Sequence, residues 1–140
     1  MKKPVSVPQS YRPRENEKFM NPVMREYFRQ KLLCWKDELV KESTETIQHL
    51  REETAHEADL ADRASLETDR SLELRTRDRE RKLISKIDAA LRRIEEGSYG
   101  YCEETMEPIS LRRLEARPIA TLSIEAQERH ERLERTHRDD

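Results

Sequence analysis

Residues 23–96 decide the fold, and they read VMREYFRQKLLCWKDELVKESTETIQHLREETAHEADLADRASLETDRSLELRTRDRERKLISKIDAALRRIEE. These 74 residues contain neither proline nor glycine, whereas the rest of the chain holds six prolines and two glycines. Proline breaks helices because it lacks a backbone donor, and glycine because ordering it costs more entropy. The stretch is also rich in Glu, Arg, Leu, Lys and Ala, so it predicts helix.

Apolar residues recur within this stretch at helical spacing. We expect the following rows to pack: Phe28, Leu32, Trp35 and Leu39; Leu33, Val40 and Ile47; and Leu83, Ile87, Ala90, Leu91 and Ile94. Between the rows lies the segment 75–82, RTRDRERK, which is polar throughout. Such a segment buries little apolar surface, so packing at its ends and charge pairs must hold it.

The stretch could form either one helix or two. A single helix of this length would extend about 110 Å at 1.5 Å per residue, with broken apolar rows and nothing to pack against. A helical hairpin would need a turn near 52–60, where Thr54 and Glu57 fit a capping box and Asp59 fits an N-cap. The hairpin is the preferred interpretation, although the turn contains no glycine or proline.

Composition excludes several classes of protein. Hydrophobic residues make up 34% of the 140-residue chain, too few for a large globular core. Charged residues make up 41%, yet the net charge is only −2, which argues against direct DNA binding by a basic surface. No apolar run is long enough for a membrane span or a signal peptide, so we expect a cytoplasmic protein without membrane contact.

The two cysteines, Cys34 and Cys102, are therefore expected to be reduced. Cys34 lies between Leu33 and Trp35 and is most simply interpreted as a core residue. A partly buried, unreactive thiol is also the simplest interpretation of Cys102, ahead of a redox sensor.

The two ends of the chain differ from the helical stretch. Residues 1–21 have few apolar residues and no period, which is typical of a partly disordered or loosely docked tail. Gly97 fits the residue that follows a helix C-terminus. A small module is expected over 97–122, and a C-terminal helix over 123–140.

The small module carries the spacing of a zinc ribbon without its ligands. Cys102, Thr105, Ser123 and Ala126 stand in the pattern C-x2-T-x17-S-x2-A, where a ribbon would have four cysteines. Hydroxyls are not ionised at neutral pH and alanine has no donor atom, so we expect no zinc.

Four segments together resemble the DksA/TraR family of bacterial RNA polymerase regulators. They are DLADRA at 59–64, SLELRTRDRERKLI at 71–84, GSYGYC at 97–102 and LRRLEARP at 111–118. The resemblance covers about residues 21–135. It implies a mainly α fold, in which a long antiparallel coiled-coil hairpin (22–96, with its tip near 52–62) stands on a small zinc-ribbon-like module with a C-terminal helix.

The resemblance also implies a function. The family inserts its coiled coil into the secondary channel of RNA polymerase and, with the alarmone ppGpp, represses ribosomal RNA promoters and activates amino-acid biosynthesis promoters. Its tip motif D-x-x-D-x-A corresponds here to Asp59, Asp62 and Ala64, and its contact with the polymerase rim to Arg79. Its ppGpp-binding positions correspond to Leu83, Lys86 and Arg117.

This chain departs from the family pattern at a few positions. Gln127 replaces a ppGpp-binding lysine, the tip lacks the prolines often found before the first Asp, and the ribbon resembles the cysteine-poor, zinc-independent members. An alternative function is that of the transcript-cleavage factors, which bring an acidic coiled-coil tip into the same channel. A dimeric coiled-coil scaffold is a third possibility, but the break at 75–82 favours a monomer.

Overall fold

A computed structural model describes residues 5–54 and 60–139 of the chain. Four helices follow in order: α1 (Pro22–Thr54), α2 (Leu60–Glu96), α3 (Leu111–Ala116) and α4 (Ile124–Asp139). The described residues contain no strand, only an isolated antiparallel bridge between Tyr101 and Pro108. The chain divides into two compact units, Leu33–Asp88 and the described residues on either side of that segment.

Leu33–Asp88, the hairpin unit, pairs α1 with α2 in antiparallel fashion. Near one end, the Lys36 ammonium lies 2.8 Å from the Asp88 carboxylate. Farther along, Nδ1 of His49 lies 3.0 Å from Oε1 of Glu73. As the residue number on α1 increases, the residue number of its partner on α2 decreases. The two helices are therefore antiparallel, and the hairpin is the correct interpretation, not a single long helix. The expected capping residues Glu57 and Asp59 lie outside the described residues.

The second unit, which we call the base unit, begins where α2 ends at a left-handed glycine. Gly97 has φ +85°, a conformation that side chains disfavour. Its N–H donates to the carbonyl of Ile94 at 3.3 Å, and the N–H of Ser98 donates to that of Arg93 at 2.9 Å. This pair of bonds defines a Schellman motif. The expectation that Gly97 follows the helix C-terminus is confirmed.

The core of the base unit is apolar and aromatic. Phe28 of α1 has no exposed surface, and its ring lies 5.6 Å from that of Tyr99, centroid to centroid. The Tyr99 hydroxyl is buried too and donates to the carbonyl of Pro118 at 2.7 Å. Other buried side chains in this core include Met24, Leu32, Ala90, Ile94, Ile109, Leu111, Leu114, Ile119 and Ala126.

The segment before α1 contributes to the base unit. Met20 is buried, and the Phe19 ring packs edge-on against Tyr101 with centroids 5.3 Å apart. Gly100 has φ +91°, and a Cβ atom there would lie 2.9 Å from the Met20 side chain. Glycine at this position therefore allows the chain before α1 to approach closely.

Serine residues cap the two short helices of the base unit. The N–H of Arg113 donates to the Ser110 hydroxyl at 3.2 Å at the start of α3. The Ser123 hydroxyl accepts from the N–H of Ala126 at 3.2 Å at the start of α4. Both serines satisfy donors that the first helical turn leaves free.

The expected row of Leu33, Val40 and Ile47 is wrong at its first two residues, whereas Ile47 is half-buried. Leu33 and Val40 are exposed by 39% and 44%, and Cys34 is exposed as well. The other row on α1 is buried at Phe28, Leu32 and Leu39, as expected. A helix packed against one partner buries one stripe, and apolar residues outside that stripe remain in solvent. None of the helices in the described part of the chain is long and apolar enough to cross a bilayer.

Candidate functional site

The expected tip motif falls where the structure describes least. Asp59 lies outside the described residues, and so does the segment 55–58. Asp62 and Ala64 belong to the first turns of α2, but their side chains are not described. The structure therefore places two of the three tip residues on a helix, and their role stays a prediction.

Four cations form one row on the outer face of α2. Arg75, Arg79, Lys82 and Lys86 are all exposed, and their spacings of 4, 3 and 4 residues keep them on one helical face. The ammonium of Lys82 lies 3.2 Å from the Asp78 carboxylate. The resemblance singled out Arg79 and Lys86, whereas Arg75 and Lys82 extend the same row. Arg75 and Lys82 could have been identified from sequence by their helical spacing from Arg79 and Lys86.

The remaining residues expected at the ppGpp site are placed as follows. Leu83 is half-buried on α2, three residues before Lys86. Arg117 is the C-cap of α3, where its N–H donates to the Arg113 carbonyl at 2.7 Å and its side chain is exposed. Gln127 is half-buried on α4, and its side-chain amide donates to Glu131 at 3.4 Å. Gln127 is neutral, so it contributes no positive charge toward a polyphosphate.

All four degenerate ribbon positions are linked by hydrogen bonds. Cys102 is fully buried, and its sulfur interacts with the Thr105 hydroxyl and with backbone groups of Ser123 and Thr105. Burial by itself would raise the pKa of Cys102, but these hydrogen bonds stabilise the thiolate and lower its pKa to about 6. Ala126 is buried and donates its N–H to Ser123. Hydrogen bonds within the protein thus connect the positions at which a ribbon would have metal ligands.

These residues do not fit a zinc ion. Structural zinc takes four nitrogen or sulfur ligands, and here one thiol is accompanied by two hydroxyls and one methyl group. His130 is drawn to Glu104 instead, forming a short contact with that carboxylate. Over the described residues, no group of three or more His, Cys, Asp or Glu could hold a metal ion.

Charged residues, which the apolar rows did not predict, occupy the contact seam of the hairpin unit. Along α2 the less exposed positions recur every three or four residues, and their order is Leu66, Arg70, Glu73, Arg77, Glu80, Ile84 and Ile87. Glu80 is only 7% exposed, which falls within the 0–9% range of the buried apolar residues. Extending the row through Ile87 backward at intervals of 3 and 4 would have found this seam from sequence.

Comparisons with known proteins identify the family. A model of the DnaK suppressor protein DksA, N-terminal domain, matches residues 24–94, more than half of the chain. The chain belongs to the DksA family. A second model, the prokaryotic dksA/traR C4-type zinc finger, matches residues 97–132. The DksA family thus accounts for both the hairpin and the ribbon-like module.

Individual DksA proteins are similar over nearly the whole chain. One from Caulobacter vibrioides is 73% identical over 93% of this chain and 92% of its own length. One from Escherichia coli K12 is 44% identical over 82% of this chain and 76% of its own length. Both are named RNA polymerase-binding transcription factor DksA.

A solved structure is similar as well. DksA2 from Pseudomonas aeruginosa superposes with a TM-score of 0.78 at 46% identity, covering 84% of this chain and 90% of the other. The expected fold class, a mainly α coiled-coil hairpin with a zinc-ribbon-like module, is confirmed. The family model describes a C4 zinc finger, but this chain keeps a cysteine at only one of the four ligand positions.

Proposed function

We propose that this protein is a non-enzymatic transcription factor that binds bacterial RNA polymerase. The observation that carries the proposal is the 73% identity over 93% of the chain to a protein named for that activity. At this identity and coverage, the surface that binds the polymerase is expected to be shared.

The hairpin would act by entering the secondary channel of the polymerase. In this proposal Asp59, Asp62 and Ala64 act at the tip, close to the catalytic centre, where carboxylates interact strongly with magnesium and basic loops. Arg79 contacts the rim of the channel. The exposed row of cations that includes Arg79 supports this part of the proposal, because such a row fits an acidic protein surface.

The alarmone ppGpp would bind at the interface with the polymerase, near Leu83, Lys86 and Arg117. Lys86 and Arg117 are exposed cations, and an arginine can bind phosphate oxygens through two hydrogen bonds. With ppGpp, the protein would repress ribosomal RNA promoters and activate amino-acid biosynthesis promoters. It would work in the cytoplasm as a monomer, without zinc and without sequence-specific DNA contacts.

We also propose that different segments of the chain have different roles. The tail 1–21 and the C-terminal helix 123–140 would support the module 97–122, and the hairpin 22–96 would carry the residues that act on the polymerase. Packing of Met20 into the base unit and the cap of Ser123 on α4 support this division.

Transcription in vitro from a ribosomal RNA promoter, with purified polymerase, tests the proposal. The wild-type protein should inhibit the promoter, whereas Asp62→Asn should bind the polymerase but no longer inhibit. Asp69→Asn is the matched control, because Asp69 is an exposed carboxylate on the same helix away from the tip. Unchanged inhibition by Asp62→Asn would reject the tip mechanism. Cleavage of RNA in backtracked complexes would instead favour the transcript-cleavage alternative.

The role of Gln127 can be tested in the same assay. Gln127→Lys restores a cation next to the proposed polyphosphate, so the ppGpp concentration for half-maximal effect should fall about three- to tenfold. Gln30→Lys adds the same charge at an exposed position on α1 and should have no such effect. An equal response of both variants would show that only the overall charge matters.

A further inference from the structure

An open cleft of about 660 Å³ lies in the hairpin unit between α1 and α2. Its volume lies within the range of about 300–1,000 Å³ that is common for small-molecule sites. The described lining contains five glutamates, one histidine and one glutamine, with no lysine or arginine: Glu42, Glu45, Gln48, His49, Glu52, Glu73 and Glu80. The described lining of the cleft is therefore strongly acidic.

Among the described residues, two carboxylate oxygens in this lining have no hydrogen-bond donor. Glu80 is only 7% exposed, and its buried Oε2 has no hydrogen-bond partner among the described residues. Oε2 of Glu73 is also buried and has no partner in the part of the chain that the structure describes, although Oε1 of Glu73 lies 3.0 Å from His49. Buried polar atoms in proteins are nearly always hydrogen-bonded, so two such oxygens in one cleft indicate a missing donor.

The negative charge near Glu80 increases the need for a hydrogen-bond donor in the cleft. Burial raises the pKa of Glu80, and the charge of Glu42 and a hydrogen bond with it raise the pKa further, while Arg79 lowers it. Arg70 and Arg77 belong to the same seam, but neither lines the cleft. A positively charged group bound between the carboxylates would relieve this repulsion and supply the absent hydrogen bonds.

We propose that the cleft binds a linear polyamine, whose ammonium groups donate to Glu73 and Glu80. The glutamates on α1 extend from Glu42 to Glu52, about 15 Å along the helix, which matches an extended chain with several cationic groups better than a single charge. An ammonium group has three donors and no acceptor, so every contact with a carboxylate is favourable. The described residues form no cluster suited to a metal ion, which argues against a divalent cation as the occupant.

Titration calorimetry of the full chain with spermidine, at low ionic strength, tests this site. Wild-type protein should show saturable binding at one site. Glu80→Gln removes a charged acceptor and should weaken binding about tenfold or more. Glu67→Gln makes the same change at an exposed glutamate on α2 outside the cleft, and its affinity should stay within about twofold of wild type.

Three results would overturn the proposal. They are the absence of a saturable heat of binding, equal weakening by Glu80→Gln and Glu67→Gln, and displacement of spermidine by Mg²⁺ when the two cations supply the same total concentration of positive charge. The last result would mean that cations gather around the hairpin without a specific site. Circular dichroism of Glu80→Gln checks that the helices remain, and Glu73→Gln provides a second variant with the same expected loss. The assay contains no polymerase, so its result is independent of the proposed function.

Discussion

The base unit and the hairpin unit are built from the same two long helices, but different residues hold them together. In the base unit, α1 contributes Met24, Phe28 and Leu32, none of which has exposed surface. In the hairpin unit, the seam of α2 contains Arg70, Glu73, Arg77 and Glu80 in place of apolar residues. The helices continue from one unit to the other, whereas the apolar row of α2 gives way to charged residues between Glu80 and Arg70.

This difference teaches how stability is distributed in the chain. Each large apolar side chain contributes about 1.5–3 kcal/mol when it is fully buried. Exposed ion pairs such as that of Lys41 with Asp37 contribute between nothing and about 1 kcal/mol each. The hairpin unit should therefore open locally at a lower free energy than the base unit.

The largest expected effect is the loss of an aromatic side chain from the base unit. Phe28→Ala removes a fully buried ring that packs on Tyr99 and Tyr27, and it should lower the free energy of unfolding by about 3–5 kcal/mol. Urea unfolding followed by circular dichroism measures the change. The control is Leu74→Ala in the hairpin unit, where a side chain exposed by 50% should matter by less than about 0.5 kcal/mol. Similar losses in both variants would contradict the comparison.

The next effect has the opposite sign. Glu80→Leu puts an apolar residue into the charged seam and should stabilise the hairpin unit by about 1–3 kcal/mol, because it removes a buried carboxyl that faces Glu42. Hydrogen exchange of the segment 66–80 should slow, while exchange in the base unit stays the same. Glu67→Leu is the exposed control, and a destabilised Glu80→Leu protein would show that the seam depends on its charges.

The pH dependence of Glu80 follows from its raised pKa. The folded chain holds this proton more tightly than the unfolded chain, whose pKa is near 4.5. Its contribution to stability is complete below that pH and is lost as the pH rises through the folded pKa. Glu80→Gln resembles the protonated carboxyl, so its stability relative to wild type should increase from about pH 4 to about pH 7. Urea unfolding at several pH values measures the difference, and a constant difference would contradict this assignment.

A smaller effect distinguishes the two cysteines. Cys34 of the hairpin unit is exposed, whereas Cys102 of the base unit is buried. A lowered pKa favours reaction at Cys102, but an alkylating reagent must first reach the sulfur. Iodoacetamide should label Cys34 at least about tenfold faster, as measured by mass spectrometry of peptides. The two rates should converge in urea, and rapid labelling of native Cys102 would mean that the base unit opens readily.

The smallest expected effect is that of metal removal. Elemental analysis should find far less than one zinc per chain, and chelator should leave the melting temperature unchanged. The reason is that Thr105, Ser123 and Ala126 cannot replace the thiolates of a ribbon. Structural zinc contributes about 10–16 kcal/mol in zinc-finger peptides. If one ion were bound per chain, its removal by the chelator would therefore lower the melting temperature by an easily detected amount. The same two measurements, zinc content and melting temperature with chelator, can be made in parallel on the P. aeruginosa DksA2 protein as a related chain.

Much of the fold could be predicted from sequence because it depends on local properties of the backbone. The absence of proline and glycine predicts the helices, and Gly97 predicts the end of α2. The candidate site was predicted differently, since Asp59, Asp62 and Arg79 were identified only through a resemblance to a family. Nothing in a D-x-x-D pattern distinguishes a functional tip from an ordinary charged surface.

Tertiary structure decided which helical stripe is buried. Sequence alone permitted a stripe through Leu33 and Val40, but both are exposed, because α1 has only one partner in the hairpin and buries one face against it. Helical spacing from Ile87 places Glu80 on the buried stripe, but the environment of its carboxyl depends on the residue of α1 that stands opposite. Helix formation and the loss of zinc ligands are properties of the residues themselves. Burial, and with it the charged seam, depends on how the two helices are paired.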